Sequence, residues 1–343
     1  MTETRFQTVL AAETIHERTI LDSIGETPLL ELPRLARTLG VPEGTRLLAK
    51  AEQLNPGGSV KDRLAITLIE EAERRGLEPG GTIVEATSGN TGVSLAQAAA
   101  VRGYRLHVVS STKVSQEKIR ILRAFGAAVH VTPNVAHGSP DHYTEVAKRL
   151  AATIPGAVYL DQFHSAANVR VHEEHTGPEL LEQTRQTAGR LDAFVCGVGT
   201  GGTLVGIANY LRRASPRTKI VLADPTGSVL AAGGAFQSYL VEGIGDDATP
   251  PLYDPALVDE TVVVSDRESF RCALLAARTE GLLIGGSAGN HLAAAAEVSL
   301  RLPPGSVVAT ILPDTGRNYL SKFFDPDWCD ANGLAGLHEE AFR

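Results

Sequence analysis

Thr82-Ile83-Val84-Glu85-Ala86-Thr87-Ser88-Gly89-Asn90-Thr91-Gly92 runs from an apolar strand pattern, through a turn crowded with hydroxyls, into a helix. Hydroxyls and backbone N–H groups at a helix start suit a carboxylate. Capping a helix takes one hydroxyl; Thr87, Ser88, Thr91 and the amide of Asn90 exceed that need and point to a ligand. Upstream, Asn55-Pro56-Gly57-Gly58-Ser59-Val60-Lys61-Asp62-Arg63 places a lysine after a loop composition that lets backbone approach a ligand closely. The following Arg63–Ala72 reads as a helix. A lysine at that junction lies near backbone N–H groups and the positive end of the helix dipole, which disfavour its charged form. A neutral amine can attack a carbonyl carbon.

Working outward, the same alternation fills the chain. Strand patterns fall at Leu47–Ala51, Thr82–Ala86, Leu106–Val109, Ala128–Val131, Val158–Gln162, Ala193–Gly197, Ile220–Ala223, Val262–Val264 and Val307–Leu312. Amphipathic stretches lie between them, including Ser94–Ala100, Glu117–Phe125, Asp141–Ala152, Leu204–Arg213, Ser269–Thr279 and His291–Leu300. Strand–helix alternation over this length predicts an α/β fold with mostly parallel sheets. Nine strands without a linker predict two sheets packed as two lobes. Residues 1–20 read as an exposed arm and 331–343 as a tail. Pro225–Pro255 is rich in Gly, Pro and Ala and lacks periodicity; a loop that long in a compact protein is usually functional.

The 343 residues suffice for two modest domains, and 43% apolar with 21% charged residues describes an ordinary globular chain. A net charge of −8 argues against nucleic acid and anionic membrane as partners. Cys196, Cys272 and Cys329 have no metal-ligand spacing and are too few for a disulfide framework. The N-terminus lacks a signal-peptide pattern and no stretch approaches a membrane span, so the expected location is cytoplasmic.

Gly197-Val198-Gly199-Thr200-Gly201-Gly202-Thr203 also joins a strand to a helix, and its backbone N–H groups make an anion cradle suited to phosphate. Gly197, Gly199 and Gly202, with Asp224 beyond the next strand, satisfy a dinucleotide fingerprint, which keeps a nicotinamide dehydrogenase as a distant alternative. Gly285-Gly286-Ser287-Ala288-Gly289, followed by Asp314 and His338, matches a hydrolase elbow, but the elbow lacks a strong preceding strand and His338 lies in the tail. His172-Glu173-Glu174-His175 has no third ligand in view and reads as a solvated helix start, so no metal is expected.

Taken in order, the Lys61 loop, Thr-Ser-Gly-Asn-Thr loop, Gly-Thr-Gly-Gly-Thr loop and Gly-Gly-Ser loop resemble fold-type II pyridoxal-phosphate enzymes, the cysteine synthase and cystathionine β-synthase group. The likeness runs from Gly25-Glu26-Thr27-Pro28-Leu29 to Leu312-Pro313-Asp314-Thr315-Gly316-Arg317-Asn318-Tyr319-Leu320-Ser321. It implies a two-lobed, tryptophan synthase β-like fold: a smaller lobe over 55–165, a larger lobe over 21–54 plus 166–330, and a homodimer. It implies pyridoxal 5′-phosphate as cofactor, with Lys61 as the Schiff-base lysine and Asn90 on the ring 3′-oxygen. Gly199, Thr200, Gly201, Gly202 and Thr203 would hold the phosphate, and Ser287 would face the pyridine nitrogen. Thr87, Ser88, Thr91 and Gln162 would bind the substrate carboxylate. The implied activity is β-replacement on serine, cysteine or an O-activated serine by way of an aminoacrylate.

Within the group, Val241-Glu242-Gly243-Ile244-Gly245, Asp224-Pro225-Thr226-Gly227-Ser228 and Arg317-Asn318-Tyr319-Leu320-Ser321-Lys322 look more like cystathionine β-synthase than cysteine synthase. Glu242 matches a glutamate on the second-substrate side, where an acid could hold the ammonium of an amino-acid nucleophile. The alternatives are a cysteine synthase using O-acetylserine or O-phosphoserine with sulfide, or a biosynthetic enzyme using an amine nucleophile. Ser165 replaces the family's Asn, and Ala248 stands where an aromatic residue is usual; both changes touch the substrate loops. Neither haem nor an adenosylmethionine-sensing regulatory domain is expected.

Overall fold

The computed structural model describes residues 18–341, except 88, 113, 136–137 and 232–234. Ten strands are present: β1 (Leu29–Glu31), β2 (Arg46–Lys50), β3 (Thr82–Ala86), β4 (Arg105–Ser111), β5 (Ala128–Thr132), β6 (Val158–Tyr159), β7 (Ala193–Cys196), β8 (Lys219–Pro225), β9 (Glu260–Val264) and β10 (Val307–Ile311). They form two sheets, ordered β1-β2-β10-β7-β8-β9 and β5-β4-β3-β6. Every pairing is parallel except β1 with β2, where Leu29 faces Lys50. The two-lobed α/β reading therefore holds. The strand it omits, β1, is a three-residue edge strand, too short to show a period of two.

The helices are α1 (Pro33–Thr38), α2 (Lys61–Arg74), α3 (Asn90–Arg102), α4 (Gln116–Ala124), α5 (Tyr143–Thr153), α6 (Ala167–Val171), α7 (Gly177–Ala188), α8 (Gly202–Ala214), α9 (Asp266–Glu280), α10 (Gly286–Arg301), α11 (Pro326–Ala331) and α12 (Leu337–Glu340). The larger sheet is covered on both faces. Leu274, Leu292 and Val308 belong to one cluster; Phe194, Leu204 and Leu222 belong to the other. The smaller sheet packs Ile83, Leu95 and Leu106 against Leu64 and Leu68 of α2 on one face, and Val84 and Val109 against Ala147 of α5 on the other. Sheets buried on both faces read as the near-continuous apolar runs seen in the sequence.

Two expectations change. The stretch expected as a strand to Gln162 stops at Tyr159, because Asp161 adopts a left-handed φ of 54° and turns the chain toward the cleft. Residues 331–341 are not a free tail. Leu334, Leu337 and Ala341 bury into the first core cluster beside Phe270 and Phe323. Left-handed glycines at 333 and 336 interrupt that apolar spacing and hide it from a periodicity reading. The first seventeen residues, most of the expected arm, lie outside the described residues. No helix among the described residues is long and apolar enough to cross a membrane.

Candidate active site

Two strand-to-helix turns and two loops converge between the sheets. Lys61 is the first residue of α2 and Asn90 the first of α3. Gly202 opens α8 after a left-handed Gly201 at φ 94°, and Ser287 is the second residue of α10. Helix N-termini concentrate unpaired N–H groups and positive potential, so this convergence favours anionic groups. One cavity is lined by Lys61, Asn90, Gly199, Thr200, Gly201 and Thr203, and also by Ser287 and Glu242. Gly202, the first residue of α8, is not among the lining residues.

The lysine loop is held at several points. Val60 N–H donates to the Pro313 carbonyl at 2.8 Å, and Ser59 bridges Asp314 backbone to backbone. Asp62 accepts from Gly57 N–H and from the Ser94 hydroxyl, each at 2.5 Å. Arg63 reaches the other way and clamps α2 to the larger lobe, forking onto Glu52 at 2.8 Å and onto Glu179 at 2.7 Å. Bidentate arginine–carboxylate pairs fix direction as well as distance. Lys61 Nζ makes no hydrogen bond among the described residues, and burial pushes its ammonium down to about 8. The effect expected from the helix dipole thus has burial as its main cause. Burial also drives the neighbouring Cys196 thiol up to about 12, so it stays protonated.

The glycine loop is tightly buttressed. A Cβ on Gly199 would lie 2.4 Å from the Gly243 carbonyl oxygen, and one on Gly202 would lie 2.0 Å from Asn168 Oδ1. Asn168 donates to the Thr200 hydroxyl at 2.8 Å and to the Gln162 carbonyl at 2.9 Å, tying the loop to the carboxylate side. Two histidines complete the support. His291 Nε2 accepts from Gly197 N–H at 2.7 Å, which requires its Nδ1 to carry the proton donated to the Ile311 carbonyl at 2.9 Å. Burial lowers His291 to about 4, in keeping with a neutral ring. His172 is fully buried, pairs with the Thr203 and Thr176 hydroxyls, and is held neutral by burial. The expectation of a solvated helix start fails for His172, which sits in a π-helical turn between α6 and α7.

The hydroxyl loop is less confined. Thr87 Oγ1 accepts from Gly89 N–H at 3.1 Å. The Thr91 hydroxyl donates to Gln162 Oε1 at 2.8 Å, and Gln162 Nε2 donates to the Ala86 carbonyl at 3.2 Å. Thr87, Thr91 and Gln162 are engaged with their neighbours and are not among the residues that line the cavity; Ser88 lies outside the described residues. Glu242 is gripped by two lysines: Lys118 Nζ at 2.9 Å, and Lys322. It comes from the irregular segment after β8, so the long loop does contribute to the cavity. Sequence reading missed His172, His291, Asn168, Lys118 and Lys322. His291 meets Gly197, and Lys118 and Lys322 meet Glu242, at least 80 residues away, where no local pattern could signal them. Asp224, the acid of the dinucleotide reading, is fully buried and spends Oδ2 on Ala231 N–H at 2.8 Å. His338, the histidine of the hydrolase reading, meets the Phe323 carbonyl at 3.0 Å.

Comparison with known proteins places this geometry. Residues 20–314 match the family described as pyridoxal-phosphate dependent enzymes, and the chain belongs to that family. It is 44% identical over 322 residues to mouse (Mus musculus) cystathionine beta-synthase, covering 92% of this chain and 56% of that protein. It is 42% identical over 327 residues to cysteine synthase 1 of Emericella nidulans, covering 92% of this chain and 86% of that one. Among solved structures, O-ureido-L-serine synthase superposes with a TM-score of 0.83 at 38% identity, over 89% of this chain and 94% of that one. The chain thus spans little more than half the length of its mouse relative. The cavity fits the family's cofactor. Glycines at 199 and 202 leave no room for side chains around a helix-start anion cradle, and an unpaired lysine amine and the Ser287 hydroxyl stand around it.

Proposed function

We propose that this protein performs pyridoxal-phosphate-dependent β-replacement on serine, cysteine or an O-activated serine, in the manner of a cystathionine β-synthase. The observation that carries the reading is the convergence of Lys61, Asn90, Ser287 and the Gly199–Thr203 loop on one cavity. When bound, the cofactor supplies an electron sink for charge developing at the substrate α-carbon. Lys61 would hold the cofactor covalently, and its amine, where free, is placed to act as the base that moves the substrate α-proton. Its depressed pKa, about 8, keeps a useful fraction neutral near physiological pH. The Gly199–Thr203 N–H groups and hydroxyls would hold the phosphate. Ser287 would offer the ring nitrogen a neutral hydroxyl. Unlike a carboxylate it would not hold that nitrogen protonated, so the group would supply a weaker electron sink, suited to loss of a β-substituent.

Thr87, Ser88, Thr91 and Gln162 bind the α-carboxylate on this reading. Thr91 turns its hydroxyl from Gln162 to the ligand, and that exchange of one hydrogen bond for another makes the binding reversible at small net cost. Glu242 faces the second substrate, with an ammonium competing for its carboxylate against Lys118 and Lys322. If the nucleophile is an amino acid, Glu242→Ala weakens its use and spares sulfide; equal loss with both nucleophiles defeats that assignment. The cysteine synthase alternative rests on the Emericella relative and predicts sulfide as the better nucleophile. We further place the protein in the cytoplasm as a homodimer, the latter checked by light scattering at micromolar concentration.

The decisive test is the visible absorption of the purified protein, titrated separately with serine, cysteine, O-acetylserine and O-phosphoserine. A yellow band that shifts with one compound establishes the cofactor and names the donor. A protein that stays colourless after added pyridoxal phosphate overturns the reading.

A further inference from the structure

Asp314 stands where three segments of the cavity meet. It follows β10 and Pro313, is 1% exposed, bridges the backbone of Ser59 in the lysine loop, and accepts Gly285 N–H at its carbonyl, 3.1 Å away. Its Oδ2 accepts from Asn90 Nδ2 at 2.7 Å and from the Tyr319 hydroxyl at 2.7 Å. Its Oδ1 is buried with no hydrogen-bond partner among the described residues. A half-satisfied buried carboxylate is costly, so a purely structural role would be better filled by a neutral side chain. Gly285 makes room for it: a Cβ there would lie 2.0 Å from Asp314 Oδ1.

We propose that Asp314 is a positioning residue that sets the orientation of the Asn90 amide toward the cofactor ring. The proposal rests on the cofactor reading above. A carboxylate oxygen takes only donors, so the pair fixes which end of the Asn90 amide faces Asp314. Asn90 Nδ2 carries two hydrogens; with one committed to Asp314, the other is directed by the same planar group. Asn90 lines the cavity, so the direction of that second N–H is a property of the site. A negatively charged acceptor also polarises the amide, and hydrogen bonds in such chains strengthen one another. Tyr319, 5% exposed, holds the carboxylate from the other side, and Lys118 Nζ stands 5.1 Å from its ring centroid.

The test uses the full chain, freed of cofactor and retitrated with pyridoxal phosphate, reading the dissociation constant and the wavelength of the visible band. Asp314→Leu removes both bonds and the charge; it weakens cofactor binding by about tenfold or more and shifts the band. Asp314→Asn keeps an amide oxygen in place and restores most of the affinity, while a shift in the band remains as the mark of the lost charge. Because Asp314→Leu could fail to fold, a second arm uses the Asn90→Ala background. There Asp314→Asn adds no further loss of affinity or band shift, since the orienting bond has no recipient. Fully additive losses in that background overturn the proposal, as does wild-type affinity with an unmoved band in Asp314→Leu. Wild-type protein that takes up no cofactor overturns the underlying reading of the cavity instead, so the two failures are distinguishable.

Discussion

Two turns in this molecule do the same topological job and are built differently. Gly197–Thr203 joins β7 to α8 in the larger lobe; Thr87–Thr91 joins β3 to α3 in the smaller one. The first leaves no slack. Gly199 and Gly202 lie so close to Gly243 and Asn168 that a single added carbon would collide, and His172, His291 and Asn168 tie the turn down. The second has open space around Gly89 among the described residues; Thr87 bonds within the turn, while Thr91 and Asn90 bond Gln162 and Asp314 outside it. A rigid cradle suits a group that stays through every turnover; a turn with interchangeable hydrogen bonds suits a ligand that arrives and leaves. The fold supplies both from one motif and differentiates them by what packs behind.

The largest effect expected is on the residue that faces both turns. Lys61→Ala abolishes turnover and the visible band, while far-ultraviolet circular dichroism and the thermal midpoint of the cofactor-free protein stay close to wild type. Retained turnover would remove Lys61 from the chemistry and with it the distinction between a resident and a visiting ligand. Next comes the cradle itself. Gly202→Ala places a Cβ 2.0 Å from Asn168 Oδ1 at the start of α8, and either Asn168 or the helix gives way. Overpacking of this kind costs about 1–3 kcal/mol, read by denaturant unfolding, and the displaced N–H groups lower cofactor affinity in equilibrium titration. Wild-type values on both would show that the cradle has slack after all.

The third test uses acid. His291 is depressed to about 4 in the folded protein against an ordinary 6.5. Below pH 6.5 the unfolded chain binds a proton that the folded chain refuses until about pH 4. Stability therefore falls as pH drops through that window, by roughly 3 kcal/mol from this group alone. His291→Gln can still accept from Gly197 N–H and donate to Ile311 O without titrating. Its stability, compared with wild type between pH 6.5 and 4, lacks this part of the decline. Parallel curves for the two proteins would mean that His291 does not anchor the cradle in the way its geometry indicates.

Much of this site was legible because its main parts are local. Each turn carries its glycines and hydroxyls within a few consecutive residues next to a strand, and the order of the turns along the chain resembled one family. What stayed hidden is what makes the turns differ. Asn168 carries no local signal, yet it links Gln162 to Thr200, which lies 32 residues beyond Asn168. His172 read as solvated because its neighbours are charged; the π-helical turn rotates it inward, a distortion that local composition does not encode. Lys118 and Lys322 meet at Glu242 from opposite ends of the chain. The strand β1 and the packed 331–341 segment were missed for the opposite reason: their signals are local but too short to register as a period.

At the hydroxyls of the looser turn the effects are smaller and fall on substrate alone; its Asn90 belongs with the cofactor. Thr91→Val removes the hydroxyl shared with Gln162; KM for the amino-acid substrate rises about tenfold, with cofactor affinity unchanged, because one hydrogen bond to a charged group is lost. A loss of cofactor in this variant would mean the two turns act as one unit.

The smallest effect distinguishes slack from mere exposure. Gly89 has an extended backbone at φ −136° and ψ −151°, which alanine adopts, and nothing among the described residues lies within 4 Å of a Cβ placed there. Gly89→Ala therefore narrows the unfolded ensemble without a clash and raises stability by about 0.5 kcal/mol. The same carbon stiffens the turn that must re-form its hydrogen bonds around an incoming carboxylate. The expectation is an unchanged cofactor titration, a slightly higher unfolding midpoint and a modest rise in KM. If KM stays at its wild-type value while stability rises, the turn binds substrate without rearranging. The contrast with the glycine-rich cradle then lies only in what each turn binds, not in how firmly each is held.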